Sequence, residues 1–353
     1  MIASPPGDGN WGDHKQLRRH ILKGIAATVA TVVLGSRAEA ALDPVSKILI
    51  MLGLLKSVPP PGGSVDVLRV VTMITLLENE VAELGLKPTP LSIEPAADPS
   101  VPTPTNGDEL YATGMPRLVS IIDRTETTNV DLGDRAGALL AEINASQRTI
   151  PELLDERRRP SGARDFATLK NEYEALFASA AVLPERSVLA HWHLTTLRRF
   201  RRRYESVARA TGVPWSFVGL IHGLEASYNF RAHLHNGDAP LSRRTRQVPA
   251  GRPTAWAAPY GWEDSAVDAL TFMGFAGASD WSLERTLYRL EAYNGFGYRK
   301  LGIPTPYLWS FSNHYDAGKF VADGSFNSRA KSQQCGAATT LKLLTDAGDL
   351  LWT

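Results

Sequence analysis

Most of the residues that could do chemistry lie between Val213 and His314. Gly212-Val213-Pro214-Trp215 reads as a helix entry, because a first-turn proline gives up an N–H that would be unpaired anyway. The helix predicted to follow puts Phe217, Ile221, Leu224 and Tyr228 on one face, with Glu225 bordering it near the C-terminal end. Apolar flanks and the negative end of a helix dipole both favour a carboxyl group that keeps its proton. Such a group can protonate a glycosidic oxygen as its bond breaks. From position alone, the favoured reading of Glu225 is a helix-surface glutamate in an ion pair. Asp238 follows in an Asn-Gly-Asp turn, as a plain turn former or as a carboxylate aimed back across a cleft.

Other groups in this stretch carry weaker signals. His233 and His235 have a His-x-His spacing that invites a metal, but no third ligand is marked, and loop histidines usually bond backbone. We expect no cofactor and no metal. Ser282 to Tyr293 is predicted as a helix with Leu283, Leu287 and Leu290 on one face, stopped by Gly295 and Gly297. Tyr293 and Asn294 then stand at its end, where they could grip a sugar or simply close the helix. Tyr307, Trp309, Phe311 and Tyr315, beside Asn313 and His314, offer aromatic faces for a sugar ring or side chains for a core. Glu263 and Asp264 read as first-turn carboxylates of a helix. Arg198-Arg199-Phe200-Arg201-Arg202-Arg203 suits an anionic cell wall or a solvated helix face.

Taken in order, a Val-Pro entry, an apolar helix ending in Glu225 and a downstream Ala292-Tyr293-Asn294-Gly295 resemble the goose-type lysozyme and soluble lytic transglycosylase superfamily. The resemblance covers roughly residues 200–345. It implies that Glu225 is the catalytic acid and that Tyr293 and Asn294 line the cleft beside it. It also makes Asp238 a candidate base, since goose-type lysozymes place aspartates in the corresponding loop. Tyr307, Trp309 and Asn313 join as candidate substrate contacts. In that superfamily a serine commonly follows the glutamate directly, whereas here Ala226 separates Glu225 from Ser227. The implied substrate is peptidoglycan or a related amino-sugar polymer, cut at a β-1,4 bond. The implied reaction is hydrolysis, or transglycosylation by the glutamate alone. A non-catalytic module that only grips glycan is the rival from another class.

The rest of the chain must position these residues. Its 353 residues predict about two domains and are ample for a core. With 38 basic against 37 acidic residues the net charge is +1, which argues against a nucleic-acid partner. The single cysteine, Cys335, rules out an intramolecular disulfide and a multi-thiolate zinc site. The expected fold is mainly α: a lysozyme-like C-terminal domain at 184–347, preceded by a helical scaffold at 109–183 and an N-terminal helical hairpin at 41–86. The hairpin pairs residues 44–56 with 65–86, where Leu68, Val71, Ile74, Leu77, Val81 and Leu84 recur at helical spacing. It is read as a packed structural pair or as an element that contacts a membrane or protein. Residues 87–108, rich in Pro, Thr and Ser, are the expected linker.

Leu17-Arg18-Arg19-His20-Ile21-Leu22-Lys23 resembles a twin-arginine export signal. The apolar run after it is shorter than the ~20 residues that span a bilayer, and Ala38-Glu39-Ala40 offers small residues for cleavage. Residues 1–40 are therefore expected to send the protein to the periplasm or outside the cell. Replacing Arg18 and Arg19 by lysine should trap the precursor in the cytoplasm, as cell fractionation would show. Normal processing of that variant would contradict the assignment.

Overall fold

The computed structural model of the protein describes residues 65–86, 104–147, 165–322 and 325–352, and these are mainly helical. The export segment 1–40, the expected helix at 44–56 and most of the 87–108 linker lie outside the described residues. No helix among the described residues is long and apolar enough to cross a membrane.

Three helices form an N-terminal group: α1 (Val67–Glu83), α2 (Gly107–Thr125) and α3 (Val130–Gln147). Each N-terminal N–H needs an acceptor outside the helix. Asp66 supplies one for α1, taking the Arg69 N–H at 3.1 Å. Asn106 caps α2 through the N–H groups of Asp108 and Glu109, at 3.0 and 2.9 Å. The helical period expected for 65–86 is present, but its buried face is Val70, Met73, Ile74, Leu77 and Val81. Leu68 and Leu84, assigned to that face from spacing, are exposed: Leu68 lies two residues before Val70, on the opposite side of the helix, and Leu84 is the C-cap that follows its last turn. Arg117 and Arg135 fasten α1 by forked ion pairs with Glu78 and Glu80. The helix starting at Gly107 also takes over the last residues of the expected linker.

The remaining helices enclose the candidate site. These are α4 (Phe166–Ser179), α5 (Ser187–Thr211), α6 (Trp215–Ala226), α7 (Trp262–Phe272), α8 (Leu283–Asn294), the short α9 (Pro306–Trp309) and α10 (Ala337–Asp346). A small antiparallel ribbon, β1 (Lys319–Ala322) with β2 (Ser325–Asn327), sets Phe320 opposite Phe326. Helix α6 is central, packing against α3, α5, α8 and α10. Every residue from Ser216 to Ala226 is buried, so α6 has no polar face. Sequence spacing predicts an amphipathic helix running on to Tyr228. The structure ends it at Ala226, because Ser227 and Tyr228 turn into the left-handed region at φ 50° and 61°. Gly219 makes close packing on α5 possible, since a Cβ there would lie 2.2 Å from Leu197.

Several buried polar side chains are paired across helices. Between α4 and α8, Glu291 accepts from the Tyr173 hydroxyl at 2.6 Å and from Arg299 at 2.7 Å. Burial raises the Glu291 carboxyl against the pull of Arg299. Between α5 and the α6 region, His193 Nδ1 lies 2.9 Å from the Tyr228 hydroxyl, and His222 Nδ1 lies 3.1 Å from the Tyr204 hydroxyl. The arginine run on α5 is occupied by ion pairs: Arg198 with Asp349, Arg199 with Asp123, Arg201 with Glu205, and Arg203 with Glu126 and Glu263.

The buried histidines set a pH dependence. Burial pulls His193 and His222 down to about 3, against ~6.5 in an unfolded chain. Between those values the unfolded chain binds protons that the folded chain refuses. Their stabilising contribution is therefore complete above about pH 6.5 and is lost as pH falls. Each contributes up to about 1.4 kcal/mol per pH unit, while Glu291, shifted upward, opposes with one proton at most. The unfolding free energy should fall by about 1–2 kcal/mol per unit between pH 6.5 and 5, measured by urea unfolding at stepped pH. A flat profile over that window would contradict neutral burial.

Candidate functional site

Glu225 occupies the last turn of α6 and is only 5% exposed. Its Oε1 accepts a hydrogen bond from the Tyr307 hydroxyl at 3.1 Å, delivered from α9. Thr305 opens α9 by capping the Tyr307 N–H at 3.3 Å, and Pro306 occupies its first turn. Gly336 lets α10 approach α9, since a Cβ there would fall 2.2 Å from the Leu308 carbonyl oxygen.

A helix that ends in a protein interior must find donors for its last carbonyls. For α6, His222 and Gly223 receive the N–H groups of Tyr228 and Ser227, at 3.3 and 3.1 Å. The Leu224 carbonyl takes Gln334 Nε2 at 2.6 Å, and the Glu225 carbonyl takes Asn144 Nδ2 at 2.7 Å. The Ala226 carbonyl takes the Asn229 N–H at 2.9 Å. Asn144 comes from α3 and Gln334 from the turn before α10, so elements far apart in sequence converge on Glu225.

The loop after α6 is seated on the same residue. Gly237, at φ 70°, brings its backbone against Glu225, where a Cβ would lie 2.2 Å from the carbonyl oxygen. The Tyr293 hydroxyl donates to the Leu234 carbonyl at 3.1 Å, tying the end of α8 to this loop. Asn294 is buried as the last residue of α8, before Gly295 at φ 94°. Tyr293 and Tyr307 thus reach the Glu225 region from α8 and α9.

Asp238 has a different position. Its Oδ2 accepts the backbone N–H groups of Arg246 and Gln247, at 2.7 and 2.8 Å, together with Asn236 Nδ2 at 3.3 Å. The carboxylate closes its own loop. His233 engages both ring nitrogens, Nδ1 with Ser265 Oγ at 2.7 Å and Nε2 with the Arg243 carbonyl at 2.6 Å. His235 Nε2 pairs with Asp268 at 2.7 Å, and burial pulls this imidazole down to about 4 despite that partner. Among the described residues no cluster of histidine, cysteine or acidic side chains is placed to hold a metal ion.

Trp309 is buried with its ring edge against His314. Asn313 accepts from the Ala181 N–H at 2.8 Å and donates to the Ser179 carbonyl at 3.1 Å, holding the end of α4. Phe311 and Tyr315 are likewise buried. Of this aromatic stretch, Tyr307 is the residue brought to Glu225. A separate cavity of about 380 Å³, lined by Asp123, Arg203, Tyr260 and Trp262, does not include Glu225.

Asn144, Ser227 and Gln334 escaped sequence reasoning. Asn144 gives the one usable signal, a polar side chain between Leu140, Ala141 and Ala145 on the buried face of α3. No family model, curated protein or solved structure matches the chain.

The position of Asp238 makes a prediction. Asp238→Asn weakens charge-assisted hydrogen bonds to two backbone donors, which should cost about 1–3 kcal/mol. Thermal unfolding would read this as a lowered Tm. Unchanged Tm with abolished turnover would assign Asp238 to catalysis instead.

Proposed function

We propose that the protein is a glycosidase that cleaves the β-1,4 bond between amino sugars in peptidoglycan, with Glu225 as general acid. The observation that carries this reading is the Glu225 carboxyl, buried at the carbonyl end of α6 with the Tyr307 hydroxyl on Oε1. Acid catalysis needs a proton held where the leaving oxygen will develop charge. A side chain whose backbone is fixed on several sides can hold that proton in place. Tyr307 touches Glu225 and Tyr293 is tied to the loop after α6, and the lysozyme resemblance makes these two and Asn294 the sugar contacts. The similarity of the Glu225 and Tyr293-Asn294 motifs to lysozymes suggests the substrate class, and the export-like N-terminus supports a reaction in the periplasm or outside the cell.

The second reading is a lytic transglycosylase. Its support is Asp238, whose Oδ2 is engaged by two backbone N–H groups. An inverting hydrolase needs a second carboxylate free to activate water, about 6.5–9.5 Å from the acid. A transglycosylase dispenses with it: the leaving oxygen takes the proton from Glu225, the sugar's own hydroxyl attacks the anomeric carbon and gives its proton to the Glu225 carboxylate, and an anhydro end results.

Glu225→Gln keeps the shape of the side chain and removes the transferable proton. Turnover of purified peptidoglycan should fall by about 10³–10⁴-fold, the upper part of the range for general acid catalysis. Binding to glycan strands and the Tm should change little. Turnover within a few-fold of the unsubstituted protein would overturn the assignment of Glu225.

A further inference from the structure

We propose that Asn144, on α3 and outside the segment that resembles lysozymes, is a positioning residue for Glu225. The α2–α3 pair then belongs to the catalytic unit. The inference rests on the reading of Glu225 as the acid and adds a second helical group to the machinery that aims it.

Asn144 is 1% exposed and uses both ends of its carboxamide at the exit of α6. Nδ2 donates to the Glu225 carbonyl at 2.7 Å, and Oδ1 accepts the Ser227 hydroxyl at 2.8 Å. With its proton committed to Asn144, Ser227 Oγ is the acceptor for the Tyr111 hydroxyl, 2.8 Å away on α2. A directed chain therefore runs from Tyr111 to Ser227 to Asn144 to the backbone of Glu225. It satisfies a carbonyl that α6 itself cannot.

The same contacts hold an unfavourable backbone. Ser227 and Tyr228 are consecutive non-glycine residues at φ 50° and 61°. Left-handed conformations cost such residues free energy and persist only where the surroundings over-determine them. Here the turn reverses the chain directly after the acid, and Asn144 grips it on both sides, at Glu225 and at Ser227. Gly237 packs onto the same carbonyl, and its Cβ position lies 3.4 Å from Asn144 Nδ2. Shifting Asn144 would therefore move the Glu225 backbone and the Asp238 loop together. A misplacement of ~1 Å in a catalytic group can cost on the order of 10²-fold in rate.

The test uses the full chain and soluble peptidoglycan strands. Asn144→Asp puts an oxygen in place of the donor, facing the Glu225 carbonyl, and Asn144→Ala removes both contacts. For each, turnover per folded molecule should fall by about 10–100-fold. The half-saturating glycan concentration should stay within a few-fold, and the limb of the pH–rate profile that reports the acid should move. Asp66→Ala, which removes the cap of α1 and touches neither the α2–α3 pair nor α6, should lower Tm and leave turnover and pH profile unchanged. If the Asn144 variants do not fold, Ser227→Ala carries the same test, with a smaller loss in the same direction. Asn144 or Ser227 variants with lowered Tm but unaltered turnover and pH profile would overturn the inference. Activity surviving in Glu225→Gln would instead remove the functional reading beneath it.

Discussion

The carbonyl end of α6 is the constraint around which the molecule is organised. The helix is buried along its length and stops in the interior, where water is not at hand to donate to its last carbonyls. Leaving one buried carbonyl unpaired costs about 1–3 kcal/mol, so the end of α6 can exist only if the fold brings donors to it. They come from the returning chain at Ser227, Tyr228 and Asn229, from the turn before α10 through Gln334, and from α3 through Asn144. Glu225 sits among these contacts and inherits their rigidity.

This requirement explains why the N-terminal helices are integrated with the rest. Gly133 and Gly137 of α3 leave room for the chain beyond α6, since a Cβ at either would lie 2.9 Å from Arg231. Asn229 uses that space to donate to the Gly137 carbonyl at 2.8 Å. On the other side, α4 reaches α8 through Tyr173 and Glu291, two residues before Tyr293. Glu291 is also ion-paired with Arg299 at 2.7 Å, and breaking one partner of a buried charge pair typically costs about 3–5 kcal/mol, so these polar contacts fix position as much as they stabilise. Apolar packing alone, on Leu220, Ile221 and Leu224, would allow α6 to slide or rotate at small cost.

The mainly helical architecture was legible in the sequence because hydrophobic spacing reports helices directly. The stretch expected as a helical scaffold, 109–183, holds most of α2 together with α3 and α4, and α8 lies where spacing places a helix between Ser282 and Tyr293. The phase of α1 and the end of α6 were not legible. Spacing alone does not say which neighbours a helix meets, and left-handed serine and tyrosine residues carry no glycine signal. Glu225 and Tyr307 could be singled out from residue type and motif order, but their hydrogen bond depends on the tertiary approach of α9 to α6. Asn144 and Gln334 lie 81 and 110 residues from the carbonyls they serve, a separation that no local pattern encodes. The aromatic stretch read in sequence as sugar platforms or as core, and Trp309 and Phe311 are buried in the fold.

The account's central claim is that this arrangement breaks a glycosidic bond by protonating its oxygen. Mass analysis of the soluble products from purified peptidoglycan tests it most directly, since the end groups record both cleavage and the nucleophile. The account predicts disaccharide-peptide fragments released by the full-length protein, with anhydro ends if the sugar's own hydroxyl attacks and reducing ends if water does. Glycan strands recovered intact, with the protein folded and bound to them, would contradict it.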